Sequence, residues 1–287
     1  MRLLDLLIDM PPRELYRLLY KKLYKNPAIP SFDDIHPCVF VLSTGRVGSM
    51  TLARLLDLSP NLLVKHEPSP KLFRLSKANY HYPFESSEFS DSIFWTVREE
   101  LINQALSSGQ GYVETSPQAT FFAPVILKAI PSVKFIHLVR HPADIVTSGM
   151  RRNWYGGHPS DNTRITPTST DKYGRDWSSM NQLEKNAWLW TETNRWIMDF
   201  LKAVPENQHI TVRAEDLYNK KPDVINDVFD FVGAEAPSQK RVNKVLSKKH
   251  NQQTRGDFPS FKNWTPEMKD QLRMLSGDQA KALGYDI

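Results

Sequence analysis

The segment between Cys38 and Leu58 constrains the fold of this chain more than any other. Five apolar residues, Cys38 to Leu42, precede a turn with two glycines and a helical pattern that starts at about Ser49. A short apolar run of this kind predicts a buried strand. In a strand followed by a glycine-containing turn and a helix, backbone N–H groups and the helix N-terminus can bind phosphate. The segment therefore predicts an anion-binding site in an α/β fold.

Strands and helices alternate along the rest of the chain. Further strands are predicted at residues 62–65, 111–114, 133–139 and 209–212, and helices at 92–108, 142–150 and 180–203. Strands that alternate with helices pair in parallel, and the helices cover both faces of the sheet. We therefore predict a three-layer α/β/α fold with a central parallel sheet, formed by residues 38–287 as a single domain.

Residues 1–37 are predicted to be an N-terminal amphipathic helix and a linker. Residues 13–25 repeat Leu and Tyr at helical spacing with Lys and Arg between them, so this helix can dock on its own domain, on a partner or on a membrane surface. Residues 1–10 contain two aspartates and lack the features of a signal peptide. The single cysteine, Cys38, excludes an internal disulfide and favours a reducing compartment. We expect a cytoplasmic protein, with residues 1–25 as a candidate peripheral membrane contact.

The net charge of +5 suits a polyanionic small molecule, a nucleic acid or an anionic surface equally well. The chain has neither a run of five or six basic residues nor the spacing of a zinc finger. We therefore expect no nucleic-acid partner.

The loop from Ser43 to Thr51 contains the chemistry that an anion site needs. Gly45 and Gly48 permit tight curvature, Arg46 supplies a cation, and two residues supply hydroxyl groups, Ser49 and Thr51. The loop has no lysine and so lacks the G-x-x-x-x-G-K-[ST] motif, which argues against a kinase that uses Mg²⁺ and a nucleoside triphosphate. Taken alone, a turn with two glycines is often only a turn.

A second anion site is predicted at the end of the strand over residues 133–139. Arg140 follows that strand, at the sheet edge where α/β folds bind ligands, and Ser148 lies eight residues later on the next helix. The guanidinium group could hold a phosphate through two hydrogen bonds. The alternative is that Arg140 pairs with a carboxylate and Ser148 is an ordinary helix residue.

Together the two motifs resemble those of sulfotransferases that use 3′-phosphoadenosine 5′-phosphosulfate (PAPS). The resemblance implies the P-loop-like sulfotransferase fold and transfer of a sulfuryl group from PAPS to a hydroxyl or amine, without a metal. It also implies that the loop binds the 5′-phosphosulfate as a variant with Arg46 where other members have Lys, and that Arg140 and Ser148 bind the 3′-phosphate. The loop departs from the family pattern at Val47 and Met50. The residues assigned to the phosphosulfate site are Gly45, Arg46, Val47, Gly48, Ser49, Met50 and Thr51.

The resemblance extends through most of the chain from about residue 38. Residues 213–217, 183–197 and 283–285 are similar to stretches of the family. Residues 254–257 stand where many members place an Arg-Gly pair against the 3′-phosphate, which assigns Arg255 and Gly256 to the donor site.

Two neighbouring residues are candidates for the base that accepts the proton of the acceptor. The family uses His in some branches and Glu in others at about this place, and His-Glu-Pro resembles the branches that use Glu. We therefore expect Glu67 to be the base, with His66 as the second candidate. If both residues lie in a strand, their side chains point to opposite faces and only one faces the donor. The alternative role for Glu67 is a salt bridge with a nearby Arg or Lys.

The remaining predicted contacts involve the acceptor. Arg46 is expected to stabilise charge on the bridging oxygen as the S–O bond breaks. Residues 114–117 resemble a stretch that lines the acceptor pocket, so Thr115 or Ser116 could contact the substrate and Glu114 is a further candidate base; alternatively, these residues only cap the next helix.

Residues 152–178 form a long segment without periodicity, which predicts a functional or a disordered loop. Trp154 and Tyr155, next to two arginines, suit a sugar, a sulfated glycan, a lipid headgroup or the adenine, unless this loop is simply solvated. The acceptor is thus expected to be a small molecule, a glycan or a lipid. The alternative functions are a P-loop-type small-molecule kinase and a non-catalytic nucleotide-binding protein of the same fold.

Overall fold

The computed structural model describes residues 37–82, 87–247 and 256–287, and their side chains except those of residues 87–90. Within these residues, five strands form one sheet: β1 (Cys38–Leu42), β2 (Leu62–Lys65), β3 (Gly111–Glu114), β4 (Lys134–Val139) and β5 (His209–Arg213). Their order is β2-β3-β1-β4-β5, and every pairing is parallel. The predicted parallel sheet is therefore confirmed.

Ten α-helices lie within the described residues: α1 (Ser49–Leu56), α2 (Phe73–His81), α3 (Ser87–Ser107), α4 (Ala123–Ala129), α5 (Pro142–Arg151), α6 (Gln182–Leu201), α7 (Ala214–Tyr218), α8 (Pro222–Val232), α9 (Gln239–Leu246) and α10 (Pro266–Ala282). Short 3₁₀ helices are added at Pro117–Phe122, Asp161–Thr163, Glu206–Gln208 and Phe261–Asn263. None of the described helices combines the length and the apolar character needed to span a bilayer.

The central strand β1 shows how the sheet is covered on both faces. Val39 and Val41 pack into a core formed with α1, α8, α9 and α10, whereas Phe40 and Leu42 pack into a second core formed with α3, α4 and α6. Successive side chains of a strand point to opposite faces, so an unbroken apolar run is the expected sequence of a strand buried on both. The predicted three-layer architecture is confirmed.

Helix α2 was not predicted from the sequence. It buries the polar residues Ser76 and Asn79 and therefore has no apolar periodicity. The helix that the capping alternative for residues 114–117 implied is the stretch Pro117–Ala129, which begins as a 3₁₀ helix and continues as α4. The predicted helix and linker over residues 1–37 fall outside the described residues apart from Pro37, so this assignment and the membrane contact remain predictions.

The segment between α5 and α6 is ordered by its own polar contacts. Asp161 accepts hydrogen bonds from the backbone N–H groups of Gly157 and His158, at 3.1 and 2.8 Å, and from Arg164 Nε at 3.1 Å. The segment therefore has a defined conformation beside the carboxyl edge of the sheet.

Candidate functional site

A cavity of about 840 Å³ opens at the carboxyl edge of the sheet. It is lined by the residues that follow β1, β2 and β4, and by parts of α2, α5 and the segment after α5. β1 has β3 on one side and β4 on the other, so the chain reverses its direction of winding here. Ligands of parallel α/β sheets bind at such a point.

The loop after β1 has the backbone geometry of an anion cradle. Gly45, Arg46 and Gly48 all have left-handed φ angles, of +79°, +61° and +94°. Helix α1 starts at Ser49, directly after the loop, and its first turn contains no acidic residue, so the positive end of the helix dipole is not opposed. The cradle and the helix N-terminus both favour a phosphate or sulfate group.

Side chains of the loop differ in where they point. Arg46, Ser49, Met50 and Thr51 line the cavity, whereas Val47 is buried in the core and is only 1% exposed. The apolar residue at this position is therefore a packing residue, and only its backbone can take part in binding.

The two predicted phosphate sites meet in this cavity. Arg46 Nε donates a hydrogen bond to Ser148 Oγ at 3.2 Å, which joins the loop to helix α5. Arg140 lines the same cavity, directly after β4, and its backbone oxygen is held by Trp190 Nε1 at 2.9 Å. Its guanidinium group also forms an ion pair with Asp144 at 2.8 Å. Arg140 therefore both lines the cavity and pairs with a carboxylate, which was the alternative role allowed by the sequence.

Burial strengthens the attraction of this cavity for anions. The pKa of Arg46 falls to about 10, first because the group is buried and then because Arg152 and Arg140 lie nearby. The guanidinium group remains charged at neutral pH. A polyanion bound by Arg46 and Arg140 would neutralise their charges, which is the electrostatic requirement of a phosphosulfate site.

His66 and Glu67 both line the cavity. Strand β2 ends at Lys65, and Glu67 has a left-handed φ of +44°. The strand alternation that predicted opposite directions for the two side chains is therefore wrong, because neither residue belongs to the strand. His66 Nε2 lies 4.0 Å from Glu67 Oε1. A non-glycine residue held at a positive φ is a form of strain that clusters at functional sites.

The partners of this pair define its chemistry. His66 Nδ1 lies 2.9 Å from the backbone oxygen of Thr115, which can only accept, so Nδ1 donates this hydrogen bond. Thr115 Oγ1 is also 2.9 Å from Nδ1. Glu67 Oε2 forms a salt bridge with Lys71 at 2.9 Å, which is the alternative role that the sequence allowed. Glu67 thus lies at the cavity wall between Lys71 and the imidazole ring of His66, which Thr115 orients.

Glu114 does not reach the cavity, which corrects its prediction as a candidate base. It is fully buried and forms an ion pair with Arg98, with Nε–Oε2 and Nη2–Oε1 distances of 2.7 and 3.1 Å. Tyr112 donates a further hydrogen bond at 2.9 Å. Burial raises the pKa of Glu114 although Arg98 opposes the shift. The carboxylate is a structural link between β3 and α3.

Thr115 and Ser116 also lie behind the cavity wall, not on it, which corrects their predicted contact with the acceptor. Both are almost completely buried. Thr115 can influence the site only through its contacts with His66. Ser116 occupies the position before the 3₁₀ helix Pro117–Phe122, but its side chain makes no capping hydrogen bond, and its Oγ has no partner among the described residues.

The two predicted aromatic residues after α5 have different positions. Trp154 lines the cavity and carries the guanidinium group of Arg164 3.9 Å above its ring. Tyr155 points away and donates a hydrogen bond to the backbone oxygen of Ile165 at 2.7 Å. Burial raises the pKa of Tyr155. Tyr155 therefore holds the segment after α5 in place and does not line the cavity. The prediction that it contacts the substrate is wrong.

The second Arg-Gly pair is described only in part. Arg255 lies outside the described residues, so its assignment remains a prediction. Gly256 has a φ of +93°, and a Cβ atom there would lie 2.7 Å from the backbone oxygen of Arg151. The glycine is thus required for close packing against the end of α5, and it does not itself line the cavity.

Several residues of the cavity were missed in the sequence because they come from distant segments without a motif. The ones with the clearest chemistry are Phe73, Lys77, Gln118, Phe121, Arg164 and Tyr218. Tyr218 lies beside the donor loop, with the Arg140 guanidinium carbon 5.6 Å from the centre of its ring. Burial raises the pKa of Tyr218, so its hydroxyl is a neutral hydrogen-bonding group.

No group of three or more His, Cys, Asp or Glu residues in the described part of the chain is arranged to hold a metal ion. The arrangement that is present combines an anion cradle, a second cationic site and a carboxylate–imidazole pair in one cavity. Such a site can hold a doubly phosphorylated or sulfated nucleotide and remove a proton from a second substrate.

Comparison with known proteins agrees with this chemistry. The model of the sulfotransferase family matches residues 37–238. Solved structures with the same fold include the sulfotransferase domain from the curacin biosynthetic pathway (16% identity, 88% of this chain and 99% of that one, TM-score 0.53). A sulfotransferase from Mycobacterium avium is also similar, with 13% identity over 95% of this chain and 83% of that one and a TM-score of 0.54. A sulfotransferase from Alicyclobacillus acidocaldarius has 15% identity over 88% of this chain and 97% of that one and a TM-score of 0.51. No curated protein sequence matches.

Proposed function

Because this chain belongs to the sulfotransferase family, we propose that it transfers a sulfuryl group from PAPS to a hydroxyl group of a small-molecule, glycan or lipid acceptor. The observation that carries the proposal is the hydrogen bond between Arg46 and Ser148. It joins the cradle after β1 to the helix that follows Arg140, so two anion sites lie in one cavity. A nucleotide with a phosphosulfate at one end and a 3′-phosphate at the other requires two such sites.

The chain offers suitable groups for both ends of the donor. The loop from Gly45 to Thr51 would hold the 5′-phosphosulfate through its N–H groups, its hydroxyls and Arg46. Arg140 and Ser148 would hold the 3′-phosphate. PAPS supplies the activated sulfuryl group and a phosphate leaving group, so the protein must mainly position the reactants and neutralise charge.

Glu67 is the proposed base. Its carboxylate would accept the proton of the acceptor hydroxyl as the new S–O bond forms and the bond from sulfur to the phosphate oxygen breaks. Arg46 would stabilise the negative charge that develops on that phosphate oxygen. His66, whose Nε2 is 4.0 Å from Glu67, is the second candidate, and Lys71 holds the carboxylate in place.

Replacing the two candidates separately tests these roles. Glu67→Gln should abolish formation of 3′-phosphoadenosine 5′-phosphate (PAP) from PAPS in the presence of an acceptor, with unchanged affinity for PAP, because the amide cannot accept the proton. His66→Gln should reduce turnover less, because Glu67 remains. Full turnover by Glu67→Gln would eliminate Glu67 as the base, and loss of turnover only in His66→Gln would assign the role to His66.

The alternative functions differ in the ligand that stabilises the protein. PAP should raise the melting temperature in the presence of EDTA, whereas a kinase would be stabilised by ATP with Mg²⁺ and not by PAP. A protein that binds PAP but forms none from PAPS with any acceptor would be a non-catalytic nucleotide-binding protein.

A further inference from the structure

The cavity contains more positive charge than the donor assignment uses. Six cationic side chains line it, Arg46, Lys77, Arg140, Arg151, Arg152 and Arg164, against two carboxylates. Both carboxylates already have a cationic partner, Glu67 with Lys71 and Asp144 with Arg140. The proposed donor site uses Arg46 and Arg140, and Arg164 pairs through its Nε with Asp161. The charges of Lys77, Arg151 and Arg152 are therefore in excess of those that the donor uses.

Arg152 is the first of these cations. It lies where α5 ends, and its Nε is buried without a hydrogen-bond partner among the described residues. Burial lowers its pKa, and the nearby charge of Glu67 opposes that shift. A buried guanidinium N–H without a partner is unfavourable, and a ligand anion would satisfy it. The electrostatic interaction with Glu67 shows that Arg152 lies close to the proposed base.

Arg164 is held in a fixed position at the same cavity. Its Nε donates to Asp161 Oδ1 at 3.1 Å, and its guanidinium group stacks on Trp154 at 3.9 Å. Burial lowers its pKa, and Arg152 lowers it further. A guanidinium group fixed in this way is preorganised to bind an oxyanion, since little side-chain freedom is lost on binding.

Lys77, on helix α2, adds a third cation to the cavity. Its Nζ donates to the backbone oxygen of Asn162 at 3.2 Å, which joins α2 to the segment that carries Arg164. Aromatic side chains border the same cavity, namely Phe73, Phe121 and Trp154. The cavity is therefore lined by both aromatic and cationic side chains. Such a lining suits a ligand with a flat ring, which packs on the aromatic residues, and a negative charge, which the cations bind.

We propose that the acceptor carries an anionic group, a carboxylate, sulfate or phosphate, in addition to the hydroxyl that is sulfated, and that Arg152 and Arg164 bind this group. The inference rests on the proposed sulfotransferase function and specifies its acceptor. It distinguishes this cavity from one that receives a neutral phenol or alcohol.

The test uses two probes that differ at the carboxyl group, hydroxynaphthoate, which is anionic, and its neutral methyl ester. Each is titrated into PAP-saturated protein and followed by the fluorescence of the naphthol ring. Hydroxynaphthoate should bind the wild-type protein at least about tenfold more tightly than the ester, since hydrogen bonds to charged groups have this strength. Hydroxynaphthalene sulfonate, as a third probe, shows whether the site prefers a carboxylate or a sulfate-like group.

Arg152→Gln and Arg164→Gln should each remove most of this preference while the affinity for the ester stays the same. Arg175→Gln is the matched control, because Arg175 is an exposed arginine of the same segment that does not line the cavity. Equal binding of acid and ester by the wild-type protein, or no binding of either, would overturn the inference. So would a preference that survives both substitutions.

Stabilisation by PAP separates this result from the proposed function. All three variants should keep the increase in melting temperature that PAP gives the wild-type protein, which also shows that they fold. If Arg152→Gln loses this stabilisation, Arg152 belongs to the donor site and the inference is wrong. If PAP does not stabilise the wild-type protein, the sulfotransferase proposal itself fails, whatever the probes show.

Discussion

Replacement of Gly48 by alanine tests whether the donor loop has the geometry described here. Gly48 precedes α1 with a φ of +94°, and a Cβ atom built on it would lie 2.0 Å from Tyr218 Oη and 2.9 Å from Tyr218 Cζ. A left-handed conformation costs a non-glycine residue roughly 1–2 kcal/mol. Tyr218 must also move, and it then loses its hydrogen bond with Thr51, a further cost of about 1 kcal/mol.

Gly48→Ala should therefore lower the free energy of unfolding by about 2–3 kcal/mol. For a chain of this size that is a decrease in melting temperature of roughly 3–5 °C. The affinity for PAP should also fall, because the displaced Tyr218 ring lies beside Arg140. Thermal unfolding and calorimetric titration with PAP measure the two effects separately.

Gly233→Ala is the matched control. Gly233 has a similar φ of +85°, but no atom lies within 4 Å of the position that a Cβ would take. This variant should lose only the roughly 1–2 kcal/mol of backbone strain and should bind PAP normally. In a Tyr218→Ala background, Gly48→Ala should cost less than in the wild type, since the steric conflict is gone. Equal costs at the two glycines, together with normal PAP affinity of Gly48→Ala, would refute the described loop geometry.

Three further predictions concern buried groups. Burial lowers the pKa of His137 to about 4, whereas the imidazole of the unfolded chain has a pKa near 6.5. Between these two values the unfolded state binds a proton that the folded state does not. The free energy of unfolding should therefore be unaffected by this group above about pH 6.5 and should fall by up to about 3 kcal/mol as the pH is lowered to 4. His137→Gln should flatten urea-unfolding stabilities over that range, and an unchanged slope would contradict the assignment. Arg98→Met should destabilise the protein by about 3–5 kcal/mol because it leaves Glu114 buried without its partner, and Arg98→Met/Glu114→Leu should recover much of the loss; chemical denaturation measures both, and a double variant no more stable than the single one would argue against the pair. Burial raises the pKa of the Cys38 thiol, so a thiol reagent should label Cys38 only at the rate of unfolding; rapid labelling of the native protein would show that β1 is not buried as described.

The fold could be predicted because its strands are short apolar runs separated by helical patterns. β1 is buried on both faces and is continuously apolar, and β4 is apolar except for Lys134 at its start and the buried His137. Helix α2 could not be predicted in this way, since the residues that it buries are polar and it begins without a side-chain cap. A helix of this kind depends on contacts with the rest of the fold and leaves no periodic signal.

The candidate site was predictable where one short segment contains the chemistry. The loop after β1 lies on one strand-to-helix connection, and Arg140 and Ser148 lie on another. Residues of one such connection are close in sequence and in space, so their spacing in the sequence indicates the site. The direction of the Glu114 side chain depends on Arg98, which is sixteen residues away on another element. The positive φ of Glu67, which brings it to the cavity beside His66, likewise has no sequence signal.

The acceptor side of the cavity was the least predictable part. Lys77 and Arg164 come from segments 87 residues apart and are joined by a contact of Lys77 with a backbone oxygen. No local pattern encodes such a contact. The charge of the cavity could therefore be read only after the segments had been placed together.

The proposed function depends most directly on whether the cavity binds a nucleotide with a 5′-phosphate and a 3′-phosphate in the absence of a metal. Calorimetric titration of the protein with PAP in the presence of EDTA measures this. The wild-type protein and the Arg175→Gln control should bind PAP with one site per chain. Arg140→Ala should bind it about 10- to 100-fold more weakly, because it lacks a charge-assisted hydrogen-bonding group. Absence of PAP binding by a folded wild-type protein that binds ATP with Mg²⁺, or equal affinity of wild type and Arg140→Ala, would contradict the account.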